Sequence, residues 1–216
     1  MSRPAGCIFD LDGLLLDTEP LHARAWREAA ARFGIELSPA QLRRLRGRRR
    51  PDCAREVRSW IVAGGGPPVT PAELLAVRQP LAERLLAQAP AMPGAAALVR
   101  RCHDLAIPMA LATSSALRAV VQKAAPHPWM ELIKVRVHGD DPDLAAGKPS
   151  PDPFLLAARR LGLAPGGCWA FEDSPAGARS ALAAGCRVHV LVAEDLEPAD
   201  FPAGVVLIAS LREVAL

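Results

Sequence analysis

The chain has 216 residues, is 50% apolar and carries a formal charge of +3. That is enough for one good-sized core, or a core plus a small second domain, and too little clustered basic charge for a nucleic-acid partner. The five cysteines form no CxxC or Cys/His ligand set, and no basic segment with a long apolar run precedes Asp10, which argues against a disulfide scaffold, a signal peptide and a membrane span, so a cytoplasmic protein is expected.

The first apolar run covers residues 6–9 and leads into Phe9-Asp10-Leu11-Asp12-Gly13; its length and polar ending predict a buried strand. Every segment that follows, as far as residue 91, has helical spacing. Helices are predicted over 18–33, 39–45, 51–62 and 71–89, with Gly34, Gly47 and Gly64-Gly65-Gly66-Pro67-Pro68 as stops. The chain resumes a strand and helix alternation after Met92-Pro93-Gly94, with helices over 95–105, 116–125, 153–161 and 176–184 and strands over 108–112, 133–137, 168–171, 188–192 and 205–208. This order predicts an α/β fold: a Rossmann-like, doubly wound parallel sheet in a core domain of residues 1–16 and 92–216, with an α-helical cap domain inserted over residues 17–91. Tyrosine is absent, so Ala, Leu, Val and Ile must fill the core.

Asp10 and Asp12 stand two apart, which in extended chain puts both carboxylates on one side. Two like charges held this close raise each other's pKa unless a cation relieves them, and an all-oxygen ligand set suits Mg²⁺. Asp-Gly is also a common turn pair. The ends of the other strands weigh against a mere turn, because ligands of open α/β sheets bind beyond the carboxyl ends of the strands. There the sequence places Thr113-Ser114-Ser115, Gly147-Lys148-Pro149 and Glu172-Asp173-Ser174. Each also has a structural reading: Thr113 or Ser114 as a helix N-cap, Lys148 as a surface charge, Asp173 or Ser174 as the cap of the helix near Pro175.

Phosphoryl transfer uses all of these groups together, since its catalysis is mostly positioning and charge neutralisation. Asp10 is the expected nucleophile and Asp12 the acid and base. Thr113, Ser114 and Lys148 are the expected holders of the phosphate oxygens, and Asp10, Asp12, Glu172 and Asp173 the metal set. The run of Arg43 to Arg50 reads as a solvated surface, except Arg50, which is expected to meet substrate.

At these residues the chain resembles the haloacid dehalogenase superfamily of phosphatases. Asp10-Leu11-Asp12-Gly13 resembles its first motif, Thr113 its second, Lys148 its third and Glu172-Asp173 its fourth, and the resemblance implies a helical cap after the first. Gly13-Leu14-Leu15-Leu16-Asp17-Thr18-Glu19, Leu111-Ala112-Thr113-Ser114-Ser115, Gly139-Asp140-Asp141-Pro142 and Phe171-Glu172-Asp173 are similar to the pseudouridine-5'-phosphatase and sugar-phosphatase branch. His22-Ala23-Arg24-Ala25-Trp26 and Gly47-Arg48-Arg49-Arg50 are similar to the cap of β-phosphoglucomutase, which implies that His22 assists Asp12 and that Arg50 grips a second phosphate; Arg78 is a candidate for a further cap cation.

The expected function is a Mg²⁺-dependent phosphomonoesterase acting on a small phosphate ester, such as a sugar phosphate or pseudouridine 5'-phosphate, as a monomer or weak dimer without nucleic-acid or membrane partners. A phosphomutase of the β-phosphoglucomutase kind is the alternative. A catalytically silent phosphate-binding regulator is the remote one, opposed by the intact Asp10 and Asp12 pair.

Overall fold

A computed structural model of the chain describes residues 3–45, 48, 50–193 and 196–216. The chain divides into two compact units, Met1–Asp17 with Pro90–Leu216, and Thr18–Ala89.

In the first unit six strands form one parallel sheet: β1 (Gly6–Phe9), β2 (Met109–Ala112), β3 (Val135–Val137), β4 (Cys168–Glu172), β5 (Arg187–Leu191) and β6 (Val206–Ile208), in the order β3-β2-β1-β4-β5-β6. Between them run α5 (Ala95–Asp104), α6 (Leu117–Ala124), α7 (Asp152–Leu161) and α8 (Pro175–Ala183). The central strands β1, β2 and β4 are buried at every residue. With helices on both faces of the sheet neither face is wet, which is why these strands read as continuous apolar runs and not as alternations. One core of small and branched side chains, among them Ile8, Ala110, Phe154, Ala157, Ala170 and Val188, joins the sheet to α7 and α8. The expected Rossmann-like α/β class is the one found.

β3 is shorter than the expected 133–137. A 3-10 helix, Pro128–Leu132, occupies the approach to the strand and buries Trp129 and Met130. Arg136 on β3 turns its guanidinium back to the carbonyls of Met130 and Ile133, at 3.0 and 3.1 Å, so that a charged residue satisfies the ends of the preceding turn.

The second unit is entirely helical among the described residues: α1 (Glu19–Ala31), α2 (Pro39–Leu45), α3 (Arg50–Ala63) and α4 (Pro71–Leu86). α4 begins with a capping box, Thr70 accepting from the Glu73 amide while Glu73 accepts from the Thr70 amide, and Pro71 opens its first turn. Trp26, Ala29 and Ala30 of α1 share a core with Leu45, Cys53, Val57, Ile61 and Leu74. Arg50 is the first residue of α3, which starts one residue ahead of the expected 51. Arg44 and Arg48 both pair with Glu56, whereas Gly47, expected as a helix stop, and Arg46 and Arg49 of the same run lie outside the described residues.

Candidate active site

The parallel sheet brings the carboxyl ends of β1, β2 and β4 side by side, since Phe9 is in register with both Leu111 and Phe171. Asp10 follows β1 directly, and its amide donates to the Phe171 carbonyl at 3.0 Å, which locks the residue after β1 to the end of β4. Asp10 is buried, and its carboxylate accepts from the Lys148 ammonium at 2.5 Å. Lys148, carried by the loop before α7, donates to Glu172 as well.

Glu172 is fully buried. One of its oxygens meets Lys148, and the other accepts from the Asp173 amide at 3.2 Å, the Ser174 amide at 3.4 Å and the Ser174 hydroxyl at 3.1 Å. Ser174 in turn caps α8, accepting from the Gly177 amide at 3.1 Å. The capping reading of Ser174 therefore holds, and the cap also orients a buried carboxylate at the positive end of a helix. Gly177 has to be glycine: a Cβ there would stand 2.0 Å from the Glu172 carboxyl carbon.

Asp10, Glu172 and Asp173, all buried, each offer an oxygen within 4.8 Å of the others. Lys148 supplies one positive charge against these three carboxylates. The Asp10 carboxyl is pushed up to about 7: desolvation is the largest influence, Lys148 opposes it, and Glu172 and Asp12 add to it. For Lys148, burial opposes the ammonium, but Asp10 and Glu172 outweigh it and hold the pKa above the ordinary lysine value. A buried acid set with more negative than positive charge, built of oxygen donors alone, fits a hard divalent cation.

Asp12, expected in the same ligand set, sends its carboxylate elsewhere. Both oxygens lie 2.6 Å from the ammonium of Lys123 on α6, and one accepts from the Ser115 hydroxyl at 2.7 Å. The two aspartates are thus served by two lysines from different elements. Lys123 was not among the expected site residues. Its signal in the sequence is composition: only three of the 26 basic residues are lysine, and Lys123 falls on the apolar face of its helix beside Val120 and Ala124.

Thr113 is buried, and its hydroxyl accepts from the Ser115 amide at 3.1 Å. Ser114 is exposed, and the Gly139 backbone presses against it so closely that a Cβ on Gly139 would stand 2.2 Å from the Ser114 carbonyl oxygen. Neither residue caps α6. The Leu117 amide in its first turn is met instead by Asp140, at 2.8 Å. In the helical unit His22 shares its Nδ1 with the Arg78 guanidinium at 2.8 Å, and Arg78, 2% exposed, lies over the Trp26 ring at 4.7 Å. Arg50 donates to Gln79 at 3.2 Å. His22 and Arg50 thus belong to the helical unit, and the other expected site residues to the sheet unit.

A doubly wound parallel sheet whose first strand delivers an aspartate into a buried carboxylate and lysine cluster places the chain in the Rossmann-like α/β class. The family model described as "haloacid dehalogenase-like hydrolase" matches residues 4–185, and the chain belongs to that family. It is 36% identical over 187 residues to the probable pseudouridine-5'-phosphatase of Drosophila melanogaster, covering 84% of this chain and 79% of that protein. It is 32% identical over 186 residues to the mitochondrial (DL)-glycerol-3-phosphatase 1 of Arabidopsis thaliana, covering 84% of this chain and 61% of that longer protein. Among solved structures, CbbY from Rhodobacter sphaeroides in complex with xylulose-(1,5)bisphosphate is similar with a TM-score of 0.80 and 28% identity, over 98% of this chain and 96% of that one. No helix among the described residues is long and apolar enough to cross a membrane.

Proposed function

We propose that the protein is a Mg²⁺-dependent phosphomonoesterase that hydrolyses a small phosphorylated metabolite, a sugar or polyol phosphate or a nucleotide such as pseudouridine 5'-phosphate, through an aspartyl-phosphate on Asp10. The observation that carries this reading is the Asp10 carboxylate, buried at the end of β1, clustered with Glu172 and Asp173 and paired with Lys148. The phosphatase names of the two relatives described above support the substrate class.

In this reading an Asp10 oxygen attacks phosphorus as the bond from phosphorus to the leaving oxygen breaks, and Asp12 gives that oxygen its proton. Water then attacks the aspartyl-phosphate, Asp12 takes the proton, the acyl phosphate bond breaks, and Asp10 is regenerated with release of inorganic phosphate. Thr113, the backbone at Ser114 and Lys148 hold the phosphate oxygens. Mg²⁺, which Asp10, Glu172 and Asp173 would hold, supplies positive charge against the repulsion between a carboxylate nucleophile and a dianionic ester. In this reading Asp12 enters through its proton chemistry, its carboxylate lying with Lys123 and Ser115 while Asp10, Glu172 and Asp173 form the acidic cluster. Five buried free thiols support a reducing compartment, the cytoplasm, as the place of action.

The test is phosphate release from a panel of sugar phosphates, polyol phosphates, nucleotides and pseudouridine 5'-phosphate with Mg²⁺ present. Turnover of at least one ester is expected, and its loss by three or more orders of magnitude in Asp10→Asn. Near-normal activity of that variant removes the covalent route. The phosphomutase reading draws on the cap, where His22, Arg78 and Arg50 gather polar and cationic groups in one helical unit. Rapid conversion of β-glucose 1-phosphate to glucose 6-phosphate, primed by the 1,6-bisphosphate and with little phosphate released, would favour it.

A further inference from the structure

Lys123 has a place in the molecule that its helix does not explain. It sits between Val120 and Ala124 on the buried face of α6, with a side chain 2% exposed. Burying a lysine costs rotamer freedom and hydration of the ammonium, so a lysine here persists only where partners meet its charge. An ammonium has three N–H donors. In this site three acceptor atoms surround it: the two oxygens of Asp12 at 2.6 Å each and the Ser115 hydroxyl at 2.9 Å. The Ser115 hydroxyl passes its own proton towards Asp12 at 2.7 Å. The result is a closed triangle of Lys123, Ser115 and Asp12, assembled across 111 residues of chain and separate from the triangle of Lys148, Asp10 and Glu172.

We propose that Lys123 is a positioning residue: with Ser115 it fixes the orientation of the Asp12 carboxylate, so that Asp12 exchanges protons with the leaving oxygen and with water in one geometry. This rests on the phosphomonoesterase reading. A single lysine contact leaves a carboxylate free to swivel about its last torsion, whereas contact with both oxygens, plus a hydroxyl on one of them, removes that freedom. Positioning of this kind acts on the step that moves a proton and leaves phosphate binding, which belongs to Thr113, Ser114 and Lys148, nearly untouched.

The prediction separates substrates by their leaving groups. A sugar or polyol phosphate expels an alkoxide that must be protonated, whereas p-nitrophenyl phosphate expels a stable phenolate that needs no proton. Lys123→Met keeps the length and the apolar stem of the side chain and removes the ammonium. For the best alkyl phosphate its kcat should fall roughly 10- to 100-fold with KM changed less than about threefold, within the range that general acid–base catalysis supplies. With p-nitrophenyl phosphate the first turnover should stay near the wild-type rate and appear as a burst, because only the later hydrolysis of the aspartyl-phosphate calls on Asp12. Ser115→Ala should show the same pattern more weakly, and it serves as the second test where circular dichroism shows that Lys123→Met does not fold. Equal losses on both esters with no burst, a change confined to KM, or unaltered kinetics in a folded variant would overturn the assignment. A wild-type protein that releases phosphate from no ester would instead fail the phosphomonoesterase reading itself, and this proposal with it.

Discussion

Gly177 and Glu172 lie so close that position 177, in the first turn of α8, has no room for a side chain: a Cβ there would stand 2.0 Å from the Glu172 carboxyl carbon and from one carboxyl oxygen. The glycine is there to let a helix start pack onto a buried carboxylate, and it also donates to the Ser174 hydroxyl that holds the same group. Gly177→Ala should therefore displace the Glu172 carboxylate. We expect activity to fall at least tenfold and the Mg²⁺ concentration for half-maximal rate to rise, at a stability loss of roughly 1–3 kcal/mol typical of overpacking. Steady-state kinetics across a Mg²⁺ titration, with thermal melts, check this. An Ala variant with wild-type Mg²⁺ dependence would show that Glu172 has slack the geometry does not suggest.

The acidic cluster makes a prediction that does not depend on turnover. A cation that enters among Asp10, Glu172 and Asp173 binds the folded protein alone and stabilises it by mass action. At about a hundredfold excess over the dissociation constant, the melting temperature should rise by roughly 5–10 °C for a chain of this size. The rise should vanish in Asp173→Asn and on chelation. Differential scanning fluorimetry with and without Mg²⁺ measures it, and an equal rise in the variant would place the cation elsewhere.

His189 on β5 answers to pH. It is 5% exposed, stacked on Phe171 at 5.1 Å and tilted against Trp169 at 4.7 Å, and its Nδ1 has no hydrogen-bond partner among the described residues. Burial, with the nearby Arg187 charge adding to it, pushes its pKa down to about 4. The folded protein thus resists protonation that the unfolded chain accepts near pH 6.5. Stability is complete above the unfolded value and is lost as the pH falls from there towards about 4. Between pH 7.5 and pH 5 this group alone should cost roughly 2 kcal/mol. His189→Leu should flatten that part of the acid limb in urea melts run at several pH values. A variant with the same slope as the wild type would show that other groups set it.

The sequence by itself determined the fold class, because its signals are local. A buried parallel strand must be a continuous apolar run, a helix must repeat its apolar face every three or four residues, and glycine and proline mark where each ends. The bounds expected for β1 and α2 coincide with those in the structure, and most of the others shift by a few residues. The approach to β3 escaped: a strand was expected from residue 133, but it begins at Val135, behind a 3-10 helix over Pro128–Leu132 whose Met130 carbonyl, with that of Ile133, meets the Arg136 guanidinium. Asp10, Lys148, Glu172 and Asp173 could be picked out because each ends a strand or sits on a loop at the same sheet edge, and the structure brings those four together.

Only the tertiary structure decided which cation each carboxylate meets. Alternation along an extended strand suggested that Asp10 and Asp12 share one, but the chain leaves strand geometry after Phe9, where the Leu15 and Leu16 amides fold back onto the Leu11 carbonyl. The two side chains part there, one to Lys148 and the other to Lys123. That lysine and the glycine at 177 carry no motif of their own, and Ser115, though it stands in Thr113-Ser114-Ser115, had no role assigned to it. Their importance lies in contacts between segments far apart in the chain, which are fixed only when α6 and α8 settle against the sheet.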